Sequence, residues 1–411
     1  MSPELFQGER RKWWTLAAVS FGLFMIMLDN TIVNVALPSI QRDLGVDISQ
    51  LEWVVTGYAL TFAALMLIGG KLADMLGRRR MFVGGIAVFT LASLWCGLSD
   101  TGSMLIAARI AQGIGAALMS PASLSILTAT FPPRQRGTAI GVWAGVSAMA
   151  LAIGPLAGGL LTQHLSWHWI FFVNIPVGIA GIVASYFLID ESRDSSIDQR
   201  LDIPGLATSA LGLFALTYGL IEANASGWGS TRIVTSFAVA GVALVAFVLL
   251  ERHQRVPMLD LGLFRSPTYV GANVVVLLAA LAMFGVFFFI SLYMQNVLGY
   301  SAVQAGAAFL PMTLLIILVA PIVGRTADRV GSRALMTVGM TFVAVQLLFL
   351  SRVDETTTYL GLLPLLSLGG VGMAMTMTPS TAAAMKAVPA DKAGVGSAVL
   401  NAFRQVGGSI G

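Results

Sequence analysis

The chain has 411 residues, 56% of them hydrophobic and 11% charged, with a mean hydropathy of +0.83. Soluble domains carry roughly 25% charged residues, so this chain has too little charge to cover a water-facing surface, and lipid must cover most of it. The net charge of +4 does not point to nucleic acid, because the cations sit in short turns between apolar runs, and one cysteine (Cys96) with three histidines at no ligand spacing excludes a disulfide framework and a cysteine-based metal site.

A membrane-spanning helix needs about 20 mostly apolar residues. Such runs fall at about 14–37, 52–70, 82–98, 104–128, 138–162, 170–189, 203–222, 233–250, 270–293, 303–322, 334–350 and 360–380, and another begins near 394. Nothing alternates like barrel strands, so the fold expected is an all-α integral membrane protein. Residues 1–13 are polar and basic. The first run is a full span with no small-residue cleavage site, so it reads as a retained helix. The order expected is a cytoplasmic N-terminus (1–13), a six-helix half (14–189), an acidic cytoplasmic linker (190–202), an inserted helix pair (203–250), a second linker (251–269) and a second half (270–411). The linker acids Asp190, Glu191, Asp194, Asp198 and Asp202 read as a solvated connection. About 14 spans are expected, the last one and a half lying beyond residue 411.

Orientation follows from the cations. Nineteen of the 24 lysines and arginines fall in turns on the side of the N-terminus, while Arg42, Arg232 and Arg352 fall on the other side. Arg109 and Arg404 lie within spans. The positive-inside rule then puts the N-terminus in the cytoplasm; the localisation expected is a multi-pass protein of the cell (inner, cytoplasmic) membrane, of bacterial type.

The halves are related. The turn from Gly70 to Arg80 holds Asp74, Gly77 and Arg78 to Arg80. Its counterpart places Gly324, Asp328, Gly331 and Arg333 at an offset of 254 residues. Pro132 and Gly137 recur as Pro389 and Gly394, and Gly113 and Gly115 as Gly370 and Gly372, at an offset of 257.

The Gly70–Arg80 turn resembles the signature between the second and third helices of the major facilitator superfamily. Arg109, Gln112, Gly113 and Gly115 resemble its fourth-helix motif. Gly154, Pro155, Gly158 and Gly159 resemble the fifth-helix motif of its antiporters. The runs from Leu28 to Pro38 and from Trp167 to Gly178 resemble the first-helix and sixth-helix motifs of its drug:proton antiporters with 14 spans; His168 stands where that subfamily usually has arginine. The resemblance covers the whole chain. It implies a proton-coupled efflux transporter that exports lipophilic, often cationic, compounds by alternating access. A dedicated exporter of one metabolite, antibiotic or peptide on the same fold is the alternative.

Asp29 is the first candidate for proton coupling. A lone carboxylate in apolar surroundings has its charged form disfavoured and can take up a proton. Its counterpart at the 254 offset is Met283, so the architecture does not demand an acid there. The other reading is a packing carboxylate satisfied by Asn30, Thr31 or Asn34. Arg109 is the second candidate, since an intramembrane guanidinium needs a cavity or a partner. The resemblance implies that it tunes Asp29. Gating falls to Gly70, Asp74, Gly77, Arg78 and Asp328 in the repeated turns, and to Gly154, Pro155, Gly158 and Gly159 in a kinked, close-packed fifth helix. Met25, Asn34, Tyr58, Gln112, Asn273, Phe288 and Tyr293 are candidates to line a substrate cavity. No nucleotide-binding loop occurs, so no enzyme activity, cofactor or metal is expected. The partners expected are a small lipophilic substrate, protons and the bilayer, for a protein acting as a monomer.

Overall fold

The computed structural model describes residues 11–193, 202–254, 259, 261–388 and 393–411; the Asp328 side chain, and the linker acids Asp194 and Asp198, lie outside the described residues. Among the described residues the chain is helical, with no strand. The helices are α1 (Arg11–Leu44), α2 (Ile48–Leu76), α3 (Arg78–Gly97), α4 (Gly102–Thr130), α5 (Pro133–His164), α6 (Trp169–Phe172), α7 (Asn174–Leu188), α8 (Ile203–Ser226), α9 (Thr231–His253), α10 (Pro267–Asn296), α11 (Ala302–Ala308), α12 (Leu310–Val330), α13 (Ser332–Leu350), α14 (Tyr359–Lys386) and α15 (Ala393–Ile410). Among the described residues ten helical spans are long and apolar enough to cross a membrane, or up to eleven if α2, bent by 52° between Ile48–Met66 and Ile68–Leu76, is taken as one span.

Two expected spans are each interrupted at one residue that keeps right-handed helical φ and ψ. Residues 170–189 form α6 and α7, separated at Val173, and 303–322 form α11 and α12, separated at Phe309. The second interruption has a local cause. Pro311 stands in the first turn of α12, where its missing N–H costs nothing but would cut a continuous helix.

The chain forms two compact units. The first gathers Met1–Asp29, Val46–Ala150 and His168–Asp260, and the second Asn30–Gly45, Leu151–Trp167 and Leu261–Gly411. Helices α1 and α5 thus each contribute a stretch to both. The pair α8 and α9 pack on each other, and α8 rests on α2, in the first unit.

The internal repeat survives as repeated close approaches. A Cβ added to Gly113 of α4 would stand 2.6 Å from the Tyr58 carbonyl oxygen of α2, and one on Gly370 of α14 would overlap the Met312 carbonyl oxygen of α12. A Cβ on Gly115 would meet the Gly85 carbonyl oxygen of α3 at 2.8 Å, and one on Gly372 the Gly339 carbonyl oxygen of α13 at 2.9 Å. Met312 and Gly339 are the counterparts of Tyr58 and Gly85 at the 254 offset. The same small residues therefore bring equivalent helices together in each half.

The repeated turn has one geometry. Gly77 and Gly331 adopt φ of 119° and 88°, which L side chains rarely reach. Their N–H groups donate to the Ala73 and Ala327 carbonyls at 3.1 and 3.0 Å. Each turn therefore ends one helix and starts the next across a single glycine.

Among the described residues of the acidic linker, three acids have partners. Glu191 reaches the N-terminus of α3, where its carboxylate accepts from the Arg79 and Arg80 backbone N–H groups at 3.1 and 3.2 Å. Free N–H groups and the helix dipole favour an anion there. Asp190 pairs with Arg11 at 2.6 Å. Asp202 caps α8 by accepting from the Gly205 N–H at 2.8 Å and also accepts from Gln254 Nε2 at 2.6 Å.

Candidate functional site

Asp29 lies midway along α1 and is fully buried. It is not a lone carboxylate. Arg109 Nη1 of α4 donates to Asp29 Oδ2 in a very short contact. Gln112 Nε2 donates to Oδ1 at 2.8 Å, and Asn174 Nδ2 of α7 donates to the same oxygen at 3.4 Å. The carboxylate is thus held from two other helices of the first unit, far from it in sequence.

Arg109 is held independently of the acid. Its Nε donates to the Val54 carbonyl of α2 at 2.9 Å, and Nη1 also donates to Gln112 Oε1 at 2.7 Å. The Tyr58 ring lies 4.3 Å beneath the guanidinium carbon, an arrangement that favours a cation. The local sequence explains this placement. Arg109 and Gln112 are three residues apart on one helix face. Gly113 lets the α2 backbone come close, which brings the Val54 carbonyl within reach of a side chain that could not otherwise satisfy its fork of donors.

Ser93 of α3 completes the cluster. Its Oγ accepts from Gln112 Nε2 at 2.9 Å and from Asn174 Nδ2 at 3.3 Å, and donates to the Phe89 carbonyl at 2.8 Å. Cys96 Sγ donates to Gln112 Oε1 at 3.7 Å. Removing either charge would leave the other buried and uncompensated.

The other candidates separate by position. Tyr58 and Gln112 belong to this cluster, and Met25, in the same unit, is buried. Asn34, Asn273, Phe288 and Tyr293 belong to the second unit. Asn34 matters through its backbone. Pro38 has no N–H, so the Asn34 carbonyl has lost its donor within α1. Ser291 Oγ of α10 supplies one at 2.9 Å, and Gln295 Nε2 donates to the adjacent Val35 carbonyl at 2.9 Å. Asn273 turns back on the Tyr269 carbonyl at 2.8 Å, and Phe288 packs edge-on against Phe289. Tyr293 OH donates to the Asp354 carbonyl at 2.6 Å.

Of the gating candidates, Asp74 accepts from Arg78 Nε at 2.8 Å, and Gly70 faces Pro121. The anion at the α3 N-terminus beside Gly77 is Glu191, not Asp74. The fifth-helix glycines belong to the second unit. A Cβ on Gly154 would overlap Thr31 Oγ1, and one on Gly158 would stand 2.5 Å from the Ile32 carbonyl oxygen of α1. A Cβ on Gly159 would overlap the Ala302 carbonyl oxygen of α11. In return, one on Gly306 of α11 would overlap the Pro155 carbonyl oxygen. Each helix therefore uses its own glycine to admit the other's backbone.

Sequence reasoning did not single out Asn174, Ser93 or Glu191 for a role. Asn174 stood inside a recognised motif with no task assigned to it.

The model of the Major Facilitator Superfamily matches residues 19–411. The chain is 37% identical over 402 residues to the tetracenomycin C resistance and export protein of Streptomyces glaucescens, covering 98% of this chain and 74% of that protein. It is 37% identical over 403 residues to the multidrug resistance protein Stp of Mycobacterium tuberculosis, covering 98% and 75%. Among solved structures, a peptide transporter in complex with sulfate matches with a TM-score of 0.72 at 15% identity, over 96% of this chain and 87% of that one; this likeness concerns the fold alone. The chain is a multi-pass membrane protein and belongs to the Major Facilitator Superfamily.

Proposed function

We propose that the protein is a proton-coupled efflux transporter that exports lipophilic, often cationic, drugs or toxic compounds. The observation that carries the coupling is the Asp29–Arg109 pair, fully buried inside the first unit. Such a pair is a poor choice for stability alone, since well-packed apolar residues often serve as well, and intramembrane acids are functional by default. Export is supported by the relatives whose names carry drug resistance and export. The cation distribution favours a cytoplasmic N-terminus. The architecture reads as two six-helix halves with α8 and α9 inserted between them, on a 14-span plan, in a protein acting as a monomer and driven by the proton gradient without a cofactor.

The relatives' names support two readings of breadth. One is linked to a single named antibiotic and the other to many drugs. A panel of unrelated dyes and drugs, measured as accumulation in cells expressing the full-length protein, separates them. The account expects lowered accumulation of a lipophilic cation such as ethidium, restored by a protonophore. Lowered accumulation that persists with the gradient collapsed would refute proton coupling.

A further inference from the structure

We infer that Asn174 is a positioning residue for the Asp29 proton site. In this role its amide is a weak, divided donor that sets how readily the carboxylate takes up a proton. The inference rests on the proton-coupling reading above. It starts from the two amides that touch Asp29 Oδ1. Gln112 is committed at both ends: its Oε1 accepts from Arg109 Nη1 at 2.7 Å, and its Nε2 reaches Asp29 at 2.8 Å. Asn174 touches the cluster through Nδ2, whose two hydrogens are divided between Asp29 Oδ1 at 3.4 Å and Ser93 Oγ at 3.3 Å. Both contacts are long for an N–H donor, so each is weak and easily redistributed.

The position favours this role. Asn174 is the first residue of α7, directly after the interruption at Val173, and is buried. Its side chain lies beside α1 and α3 together. The charged and titratable groups around Asp29 are Arg109 from α4, the Cys96 thiol from α3 and the Tyr58 phenol from α2. Helix α7 adds the neutral amide of Asn174. An N–H aimed at a carboxylate favours its charged form. Removing it favours the protonated form, so proton uptake then persists to higher pH. Ser93 acts in the opposite sense. It holds Asn174 Nδ2 at 3.4 Å from Asp29 Oδ1, so removing its hydroxyl frees that amide to close on the carboxylate, and proton uptake then requires lower pH.

The test reads Asp29 directly. Difference infrared spectra of the full-length protein in detergent are recorded across pH, and the carboxyl band absent from Asp29→Asn is followed. Asn174→Ala and Asn174→Leu are expected to move its midpoint to higher pH by about half a unit or more, with Asn174→Gln restoring part of the shift. Ser93→Ala is expected to move it to lower pH. Opposite signs exclude a general loosening of the bundle, which would move both variants the same way. If the Asn174 variants fail to fold, the Ser93→Ala shift decides alone, and an upward or absent shift there overturns the inference. An unmoved midpoint in folded Asn174 variants overturns it while leaving proton coupling intact. A carboxyl band that does not titrate in the wild type removes the proton reading itself, and this inference with it.

Discussion

Replacing Arg109 with methionine is expected to destabilise the protein by about 3–5 kcal/mol and abolish transport. The methionine fills similar space but leaves Asp29 buried without its cation, and breaking a buried pair costs this much because a charge is left uncompensated. The loss is expected to be partly reversible in stability and not in function. Adding Asp29→Asn removes the stranded charge, so the double variant is expected to be more stable than Arg109→Met alone while remaining unable to couple drug flux to protons. Asp29→Asn alone is expected to be milder. Arg109 keeps the Val54 carbonyl, Gln112 Oε1 and the Tyr58 ring. Denaturation of all three variants in detergent gives the coupling energy of the pair. Simple additivity would show that the two residues do not act together.

Valine at Gly159 or at Gly306 is expected to cost about 1–3 kcal/mol and to stop transport, through overpacking at a backbone-to-backbone crossing. At Gly159 the added atoms meet the Ala302 carbonyl, and at Gly306 the Pro155 carbonyl. Neither obstacle is the end of a flexible side chain that can swing away. The control is Gly271→Ala in α10, where an added Cβ meets nothing within 4 Å and alanine is the better helix former; it is expected to be neutral or stabilising. Measuring unfolding together with substrate-free proton leak separates packing from sealing. Unaltered stability in Gly159→Val would mean that α5 and α11 do not cross as described.

Much of the fold was legible in the sequence because the membrane leaves few choices. Apolar length dictates spans, backbone satisfaction dictates helices, and the repeated glycine and arginine turn announces two related halves. The structure adds physical reasons for that repeat, notably the paired approaches of Gly113 and Gly370. Asp29 and Arg109 were legible for the same reason, since a charge in a span is costly enough to need a function or a partner. Their pairing was inferable. The rest of their surroundings was not, because helix-to-helix contacts carry no local sequence signal. Asn174 meets Asp29 across 145 residues, whereas Asn30, Thr31 and Asn34 were the near-sequence alternatives. Glu191 was hidden in another way. It looked like one acid among several in a linker, and only the backward reach of that linker onto α3 distinguishes it. The interruptions at Val173 and Phe309 lie inside continuous apolar runs, where hydropathy registers nothing.

The most direct test of proton coupling through Asp29 is drug flux in liposomes containing the full-length protein under an imposed pH gradient. The account predicts that a gradient drives uphill movement of a lipophilic cation such as ethidium, and that Asp29→Asn abolishes this response while the protein remains folded. Flux that ignores the gradient, or that survives Asp29→Asn unchanged, would contradict it.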